Sequence, residues 1–184
     1  MNLSIIIPLL NEAESLSELH QWILIELATT DLSFEIIFID DGSTDNSWEE
    51  IEKLHSSHET TLGIHFPKNF GKSQALHAGF AEAAGDVIVT LDADLQDAPS
   101  EIPSLYNRIL AEDLDIISGW KKKRYDSLLF KNIPSKLFNW AARRSSGIYL
   151  HDFNCGIKAY KSNVIKTVEV YGEMHRYIPV LAAH

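Results

Sequence analysis

The residues best suited to chemistry in this sequence are carboxylates, gathered in three short groups. Asp92-Ala93-Asp94-Leu95-Gln96 sets two carboxylates two residues apart and adds an amide oxygen. Where extended backbone persists, residues two apart face the same side, so Asp92 and Asp94 can meet one hard cation with Gln96 as a neutral oxygen ligand. Oxygen-only ligands suit Mg²⁺ or Mn²⁺, with phosphate oxygens and water completing the shell. Asp40-Asp41-Gly42-Ser43-Thr44-Asp45 places two adjacent carboxylates before a turn. They repel, and a ribose hydroxyl or nucleobase N–H would relieve them. Pro8-Leu9-Leu10-Asn11-Glu12 is the third group. A plainer alternative stands beside each: loops are rich in Asp, and such carboxylates can simply cap the following helix, the role expected of Asp45. Asn69-Phe70-Gly71-Lys72 offers amides or an ammonium to a phosphate or to the Asp groups; it is equally an ordinary turn with a solvated lysine.

These groups fall where strands should end. Apolar runs at 3–8, 34–40, 63–66, 87–91 and 115–118 read as strands, most of them apolar throughout, as expected of strands buried on both faces. Helical stretches lie between them at 12–28, 45–58, 72–84 and 101–112, the second opened by a cap among Ser43, Thr44 and Asp45 and the fourth by Pro99-Ser100. Strands and helices in alternation imply an α/β fold around a mostly parallel sheet flanked by helices. In such sheets ligands bind beyond the carboxyl ends of the strands. After Trp120 the rhythm changes. A basic run, 121–124, leads into 125–146, where Leu128, Leu129, Ile133, Leu137, Phe138 and Trp140 recur at roughly helical spacing among lysines and arginines. That pattern fits a helix lying on a membrane surface or a core-packing helix with a solvated basic face.

At 184 residues the chain has room for one domain with a substantial core. Its 45% hydrophobic and 23% charged residues are ordinary for a soluble globular protein. Its apolar runs are a few residues long, against roughly 20 for a spanning helix, and Met1 leads into a strand without a basic leader. The single cysteine, Cys155, excludes an intramolecular disulfide and fits a reducing compartment; cytoplasmic residence is expected. The net charge of −10 is divided unevenly. Residues 1–119 hold 22 Asp/Glu against 4 Lys/Arg, and residues 120–184 hold 12 Lys/Arg against 4 Asp/Glu. An acidic first part that handles cations and a basic last third that handles anions would explain the split; so would two solvated surfaces of opposite sign.

In the order and spacing of its motifs the sequence resembles family 2 glycosyltransferases of the GT-A fold, and among them the polyprenyl-phosphate sugar synthases, the dolichyl-phosphate mannose synthase group. The likeness spans essentially the whole chain. Beyond the groups above it rests on Gly119 and Arg124, on Asp152-Phe153-Asn154-Cys155-Gly156-Ile157-Lys158, and on Gly172-Glu173-Met174-His175-Arg176-Tyr177-Ile178-Pro179. The resemblance implies that Pro8, Leu9, Asn11, Glu12, Asp40 and Asp41 hold the nucleoside, with Lys72, Asp92 and Ala93 completing the nucleotide site. It implies that Asp92, Asp94 and Gln96 hold Mg²⁺ or Mn²⁺ on the diphosphate. The expected catalytic set is Asp94, Asp152, Arg124 and Arg176, the two arginines binding phosphate and Asp152 orienting the acceptor or the sugar.

The implied reaction is inverting transfer from a UDP- or GDP-linked sugar to a polyprenyl phosphate, by an enzyme peripheral to the cytoplasmic membrane face. No nucleic-acid partner is expected. Two departures stand out. Many relatives acting on sugar hydroxyls carry a Glu-Asp pair near the last motif, the Asp serving as base; here His175 and Arg176 are found. An anionic phosphate acceptor needs no strong base, and an Arg that positions it is more useful. Relatives also usually continue past this point, so a missing C-terminal membrane anchor, an anchoring partner or a homo-oligomer is expected. The alternatives are transfer to a soluble sugar or glycan, with Asp152 as base, and a non-catalytic nucleotide-sugar-binding module.

Overall fold

Runs of isoleucine, leucine and phenylalanine make strands here because their stiff or bulky side chains pack well on a pleated surface. The computed structural model describes residues 1–120, 155–168, 172 and 174–181. Leu3–Leu9 forms β1, with all seven residues buried, and Phe34–Asp40 forms β2. Thr61–His65 is β3, Val87–Thr90 β4, Ile116–Ser118 β5 and Lys158–Lys161 β6. The helices are α1 (Ala13–Leu27), α2 (Ser47–Ser57), α3 (Lys72–Glu82) and α4 (Ile102–Ala111), followed by the short α5 (Ser162–Ile165) and α6 (Ile178–Leu181).

Among the described residues one six-stranded sheet runs in the order β3-β2-β1-β4-β6-β5. The first four strands are mutually parallel, and β6 is antiparallel to both β4 and β5. The expected α/β fold with a mostly parallel sheet is therefore present, with one reversed strand. Sequence periodicity gave no sign of β6: only Ala159 and Tyr160 of its four residues are apolar, and its partners lie far back along the chain.

The sheet is covered on both faces. Leu16, Leu19, Ile23 and Leu27 of α1, Ile51 of α2, and Ile102, Leu105 and Ile109 of α4 pack on Leu3, Ile5, Ile7, Ile36 and Phe38. Ala75, Leu76 and Phe80 of α3, with Tyr160, Ile165 and Ile178, pack on Ile6, Ile37 and Ile39. Alternate residues of β1 thus serve opposite cores, which is why the strand is apolar throughout. The parallel strands then deliver their carboxyl ends, and the polar residues that follow them, to one edge.

A polar contact lies within the first core. His20 of α1 is buried, its Nε2 lies 2.8 Å from the Thr61 hydroxyl of β3, and its ring meets that of His58 edge-on at 4.6 Å. Burial, with His58 beside it, lowers its pKa from 6.5 to about 4. The folded protein keeps His20 neutral while the unfolded chain protonates near 6.5. Its contribution is therefore intact above pH 6.5 and is lost as pH falls toward 4, by up to about 3 kcal/mol. Urea denaturation should show stability falling from pH 7 to pH 4.5, and His20→Gln should flatten that fall although it is less stable at pH 7.

Candidate active site at the carboxyl edge of the sheet

The ends of β1 and β2 are stitched together by side chains meeting backbone. Asn11 sits in the left-handed region at φ 57°, which asparagine tolerates better than most residues. Its N–H donates to the Ser43 hydroxyl (2.8 Å), and its Oδ1 accepts from the Thr44 N–H (2.8 Å). Glu12 N–H donates to the Ser47 hydroxyl at 2.9 Å. Asp45 accepts from the Ala13 N–H (3.2 Å) and from the Ser47 N–H and hydroxyl (3.0 and 2.6 Å), so it ties together the starts of α1 and α2. Its position suggested a cap for the following helix, but the N-cap of α2 is Asn46, and Asp45 instead braces Ser47 and Ala13 from one residue further out. The helices open at Ala13 and Ser47, later than the periodicity placed them. Pro8, Leu9 and Ala93 are buried, so any ligand contact at these positions would fall to the backbone.

Asp40 and Asp41 differ sharply in their surroundings. Asp40 is fully buried; one oxygen accepts from the Ser43 N–H (2.9 Å) and the other lies 3.0 Å from His65 Nδ1. Asp41 accepts from the N–H groups of Phe70 (2.7 Å) and Gly71 (2.9 Å). Apart from the Ser43 N–H, the adjacent carboxylates thus find their partners 25 to 30 residues away, where no local pattern could show them. Gly42 makes this approach possible. It sits at φ 76°, and a Cβ there would overlap the backbone of Lys68. Asp41 therefore fixes the segment after β3, and that segment carries Lys72 at the first turn of α3. The Lys72 ammonium pairs with Asp92 Oδ1.

The strand leading to Asp92 is shorter than expected. β4 ends at Thr90 rather than Leu91, and 92–96 follows a turn with Leu95 at φ 60°. Strand alternation therefore does not set Asp92 and Asp94 side by side. Asp92 is half-buried, whereas Asp94 and Gln96 are exposed, and the Gln96 N–H donates to Asp94 Oδ1 at 3.1 Å. Buried Asp97 accepts from the Asp92 N–H at 3.3 Å. Across the cleft, the Glu12 carboxyl is pushed up by burial and then by the charges of Asp94, Asp45 and Asp92, against the opposing hydrogen bond from Ser15. Glu12, Asp45 and Asp94 line an open cleft of about 460 Å³. Among the described residues no three carboxylate, imidazole or thiol groups converge as a ready metal cage. A cation here would draw other oxygens from its ligand or from water. A larger, mostly apolar cleft of about 600 Å³ lies at the outer edge of β3, between Trp48 and Ile51 of α2 and Ala78 and Ala81 of α3; none of the strand-end carboxylates lines it.

Arg124, Asp152 and the side chain of Arg176 lie outside the described residues, as does the segment 125–146. Two residues without an assigned role in the sequence reading, Asp97 and Gly156, stand directly against Asp92. Asp97 follows the Asp-x-Asp-x-Gln group at once, and Gly156 belongs to a motif already singled out, so both were within sight.

Together the sheet and its acidic strand ends have the architecture of a glycosyltransferase of the GT-A fold. The structure is similar to glucosyl-3-phosphoglycerate synthase from Mycobacterium tuberculosis in complex with Mn²⁺, UDP-glucose and phosphoglyceric acid (TM-score 0.68, 20% identity, covering 91% of this chain and 59% of that one). It is also similar to the mannosyltransferase PcManGT from Pyrobaculum calidifontis with GDP-Man and Mn²⁺ (TM-score 0.64, 18% identity, 93% and 47%). At these identities the likeness shows the fold. Residues 4–168 match the model of glycosyl transferase family 2, and the chain belongs to that family.

In sequence it is 36% identical over 184 residues to the dodecaprenyl-phosphate galacturonate synthase of Rhizobium johnstonii, covering 100% of this chain and 54% of that protein. It is 39% identical over 180 residues to the undecaprenyl-phosphate 4-deoxy-4-formamido-L-arabinose transferase of Shewanella sediminis, covering 97% and 54%. The chain spans about half the length of these relatives. Among the described residues no helix is long and apolar enough to cross a membrane.

The raised Glu12 carboxyl gives a test of the crowding. A carboxyl whose folded pKa lies above its unfolded value contributes stability below the unfolded pKa and loses it as pH rises through the folded one. At pH 7, above its unfolded pKa, Glu12 therefore costs stability. Glu12→Gln should raise the metal-free melting temperature at pH 7 by roughly 2 °C, a modest effect because solvent screens the cleft. At pH 4 it should bring no gain. Scanning calorimetry at the two pH values checks this.

Proposed function

We propose that this domain transfers a sugar from a nucleoside-diphosphate sugar to a polyprenyl phosphate, with a divalent cation held by Asp92 and Asp94. The observation that carries this is the crowd of carboxylates at the strand ends, with Glu12 pushed up by burial and then by the charges of Asp94, Asp45 and Asp92, and a lysine ammonium already drawn onto Asp92. The donors are oxygens throughout, so the residues fit Mg²⁺ or Mn²⁺, with Gln96 as a neutral ligand. When bound, such an ion offsets the negative charge that builds on the diphosphate leaving group. The Mn²⁺ and nucleotide-sugar in the two related structures support this reading.

The chain's own residues divide the remaining work. The nucleoside, uridine or guanosine, lies over the ends of β1 and β2 against Asn11, Glu12, Asp40 and Asp41 and the backbone of Pro8 and Leu9. The diphosphate lies near Lys72 and the Asp92-Ala93 backbone, where the ammonium is placed to neutralise it. An oxygen of the acceptor phosphate forms the new bond to the anomeric carbon as the bond from that carbon to the nucleoside diphosphate breaks, with inversion. No general base is needed, because the attacking phosphate is already anionic at neutral pH. Arg124, Asp152 and Arg176 act on the acceptor side, so residues 1–119 serve the donor and residues 120–184 the acceptor. The lipid acceptor is drawn from the relatives, both named for polyprenyl-phosphate substrates. With such an acceptor the protein would work at the cytoplasmic face of a membrane, and the basic, apolar sequence of 125–146 suits the bilayer surface.

Calorimetry with UDP and GDP should show binding that requires Mg²⁺ or Mn²⁺ and weakens at least tenfold in Asp94→Ala, the loss expected for a metal ligand. Equal affinity in excess EDTA would end the metal assignment. Radiolabelled sugar should appear on a short-chain polyprenyl phosphate in detergent. Robust transfer to a free sugar with none to the lipid would shift the acceptor to a soluble glycan.

A further inference from the structure

Asp97 is a buried carboxylate one residue beyond the expected metal group. It is 3% exposed, and its Oδ2 accepts the Asp92 N–H. It reaches this position because the chain turns at Leu95 and then enters the 3-10 turn Pro99–Glu101 that opens α4. A second element closes on the same point from the far end of the chain. Gly156, just ahead of β6, stands so close that a Cβ on it would overlap the carboxylates of both Asp97 and Asp92. Asp97 Oδ2 and Asp92 Oδ2 therefore lie within about 5 Å of each other beside the glycine. The carbonyl of Gly156 is fixed in turn by the Thr90 hydroxyl at 2.9 Å, and Thr90 pairs with Lys158 in the sheet. The other oxygen of Asp92 faces Lys72. Asp92 is thus constrained on three sides: its amide by Asp97, one oxygen by Gly156 and the second by Lys72.

We infer that Asp97 and Gly156 form a seat that positions Asp92 for its cation, Asp97 as a positioning residue and Gly156 as the floor beneath both carboxylates. The inference rests on the metal reading above and extends it to residues that do not themselves touch the ion. Asp97 acts in two ways. Its hydrogen bond fixes the first residue of the turn, so the Asp92 side chain leaves the backbone at a set angle. Its charge, held within about 5 Å in a partly desolvated setting, also strengthens the demand of Asp92 for a positive partner. Lys72 supplies that partner in the structure described here, and a divalent ion bound with the diphosphate competes for the same carboxylate. Partners that orient a ligating carboxylate commonly govern metal affinity as strongly as some ligands do.

The test is Mn²⁺ affinity, read by electron paramagnetic resonance of free Mn²⁺ in separate titrations with saturating UDP and GDP. Asp97→Asn keeps the shape and, with its amide oxygen in the place of Oδ2, an acceptor for the Asp92 N–H, but it removes the charge. It should weaken Mn²⁺ binding by about 10- to 100-fold. Gly156→Ala, which drives a methyl group between the carboxylates, should weaken it to a similar extent. In both variants the amides of Asn11, Ser43 and Thr44, at the seam of β1 and β2, should keep wild-type hydrogen-exchange protection, which separates misplacement of Asp92 from loss of the fold. Wild-type Mn²⁺ affinity in Asp97→Asn would overturn the inference, as would a loss of affinity matched by lost protection at that seam. If the wild-type protein itself fails to bind Mn²⁺ with either nucleotide, the metal reading falls and this inference falls with it.

Discussion

Carboxylates gathered at one edge of a sheet repel one another, and the rest of this edge is arranged to hold them in place. The parallel strands bring Glu12, Asp40, Asp41 and Asp92 to the same end of the molecule. Backbone N–H groups then take up much of the charge: Ser43 for Asp40, Phe70 and Gly71 for Asp41, Ala13 and Ser47 for Asp45. Hydrogen bonds to an ionised carboxylate are stronger than neutral ones, so the same contacts that relieve repulsion also fasten each turn to its neighbour. Charge left over is met by Lys72 at Asp92 and, at Glu12, by a carboxyl that gives up its proton less readily than usual.

Asp41 occupies the middle of this arrangement. Through Phe70 and Gly71 it holds the segment that follows β3, and that segment begins α3 with the lysine that reaches Asp92. The turn after β2 and the turn after β4 are therefore coupled although their strands are not neighbours in the sheet: β1 lies between them. A ligand spanning the two turns would meet a surface whose parts already constrain one another, and little of its binding energy would be lost in ordering them.

Much of the fold was legible because its signals are local. The uninterrupted apolar character of β1 and β2 follows from burial on both faces, and the helix between them shows its spacing plainly. The strand-end groups were visible for the same reason, and with them the edge on which a site should lie. What the sequence could not display was contact between distant segments. His65 beside Asp40, the Phe70 and Gly71 amides on Asp41, and Gly156 beneath Asp92 each join residues separated by 25 positions or more. The premise that extended backbone would align Asp92 with Asp94 failed for a local reason: β4 ends at Thr90 and the chain already turns at Ala93 and Asp94. β6 was hidden by its brevity and its lysines.

The insertion of β6 between β4 and β5 also sets an order of events. Chains are made from the amino terminus, and among the described residues the hydrogen-bonded partner of β5 is β6, residues 158–161, which follow it. The residues up to Trp120 include the four parallel strands, the stitched turns after β1 and β2 and the lysine on Asp92, but not β6, the strand on which β5 pairs. Closing the sheet is then a late, non-local step of the slow kind. The same step brings Gly156 beneath Asp92, so the acidic site acquires its floor only as the sheet gains its last strand. The last strand of the sheet and the floor of the site thus come from one and the same late segment of the sequence.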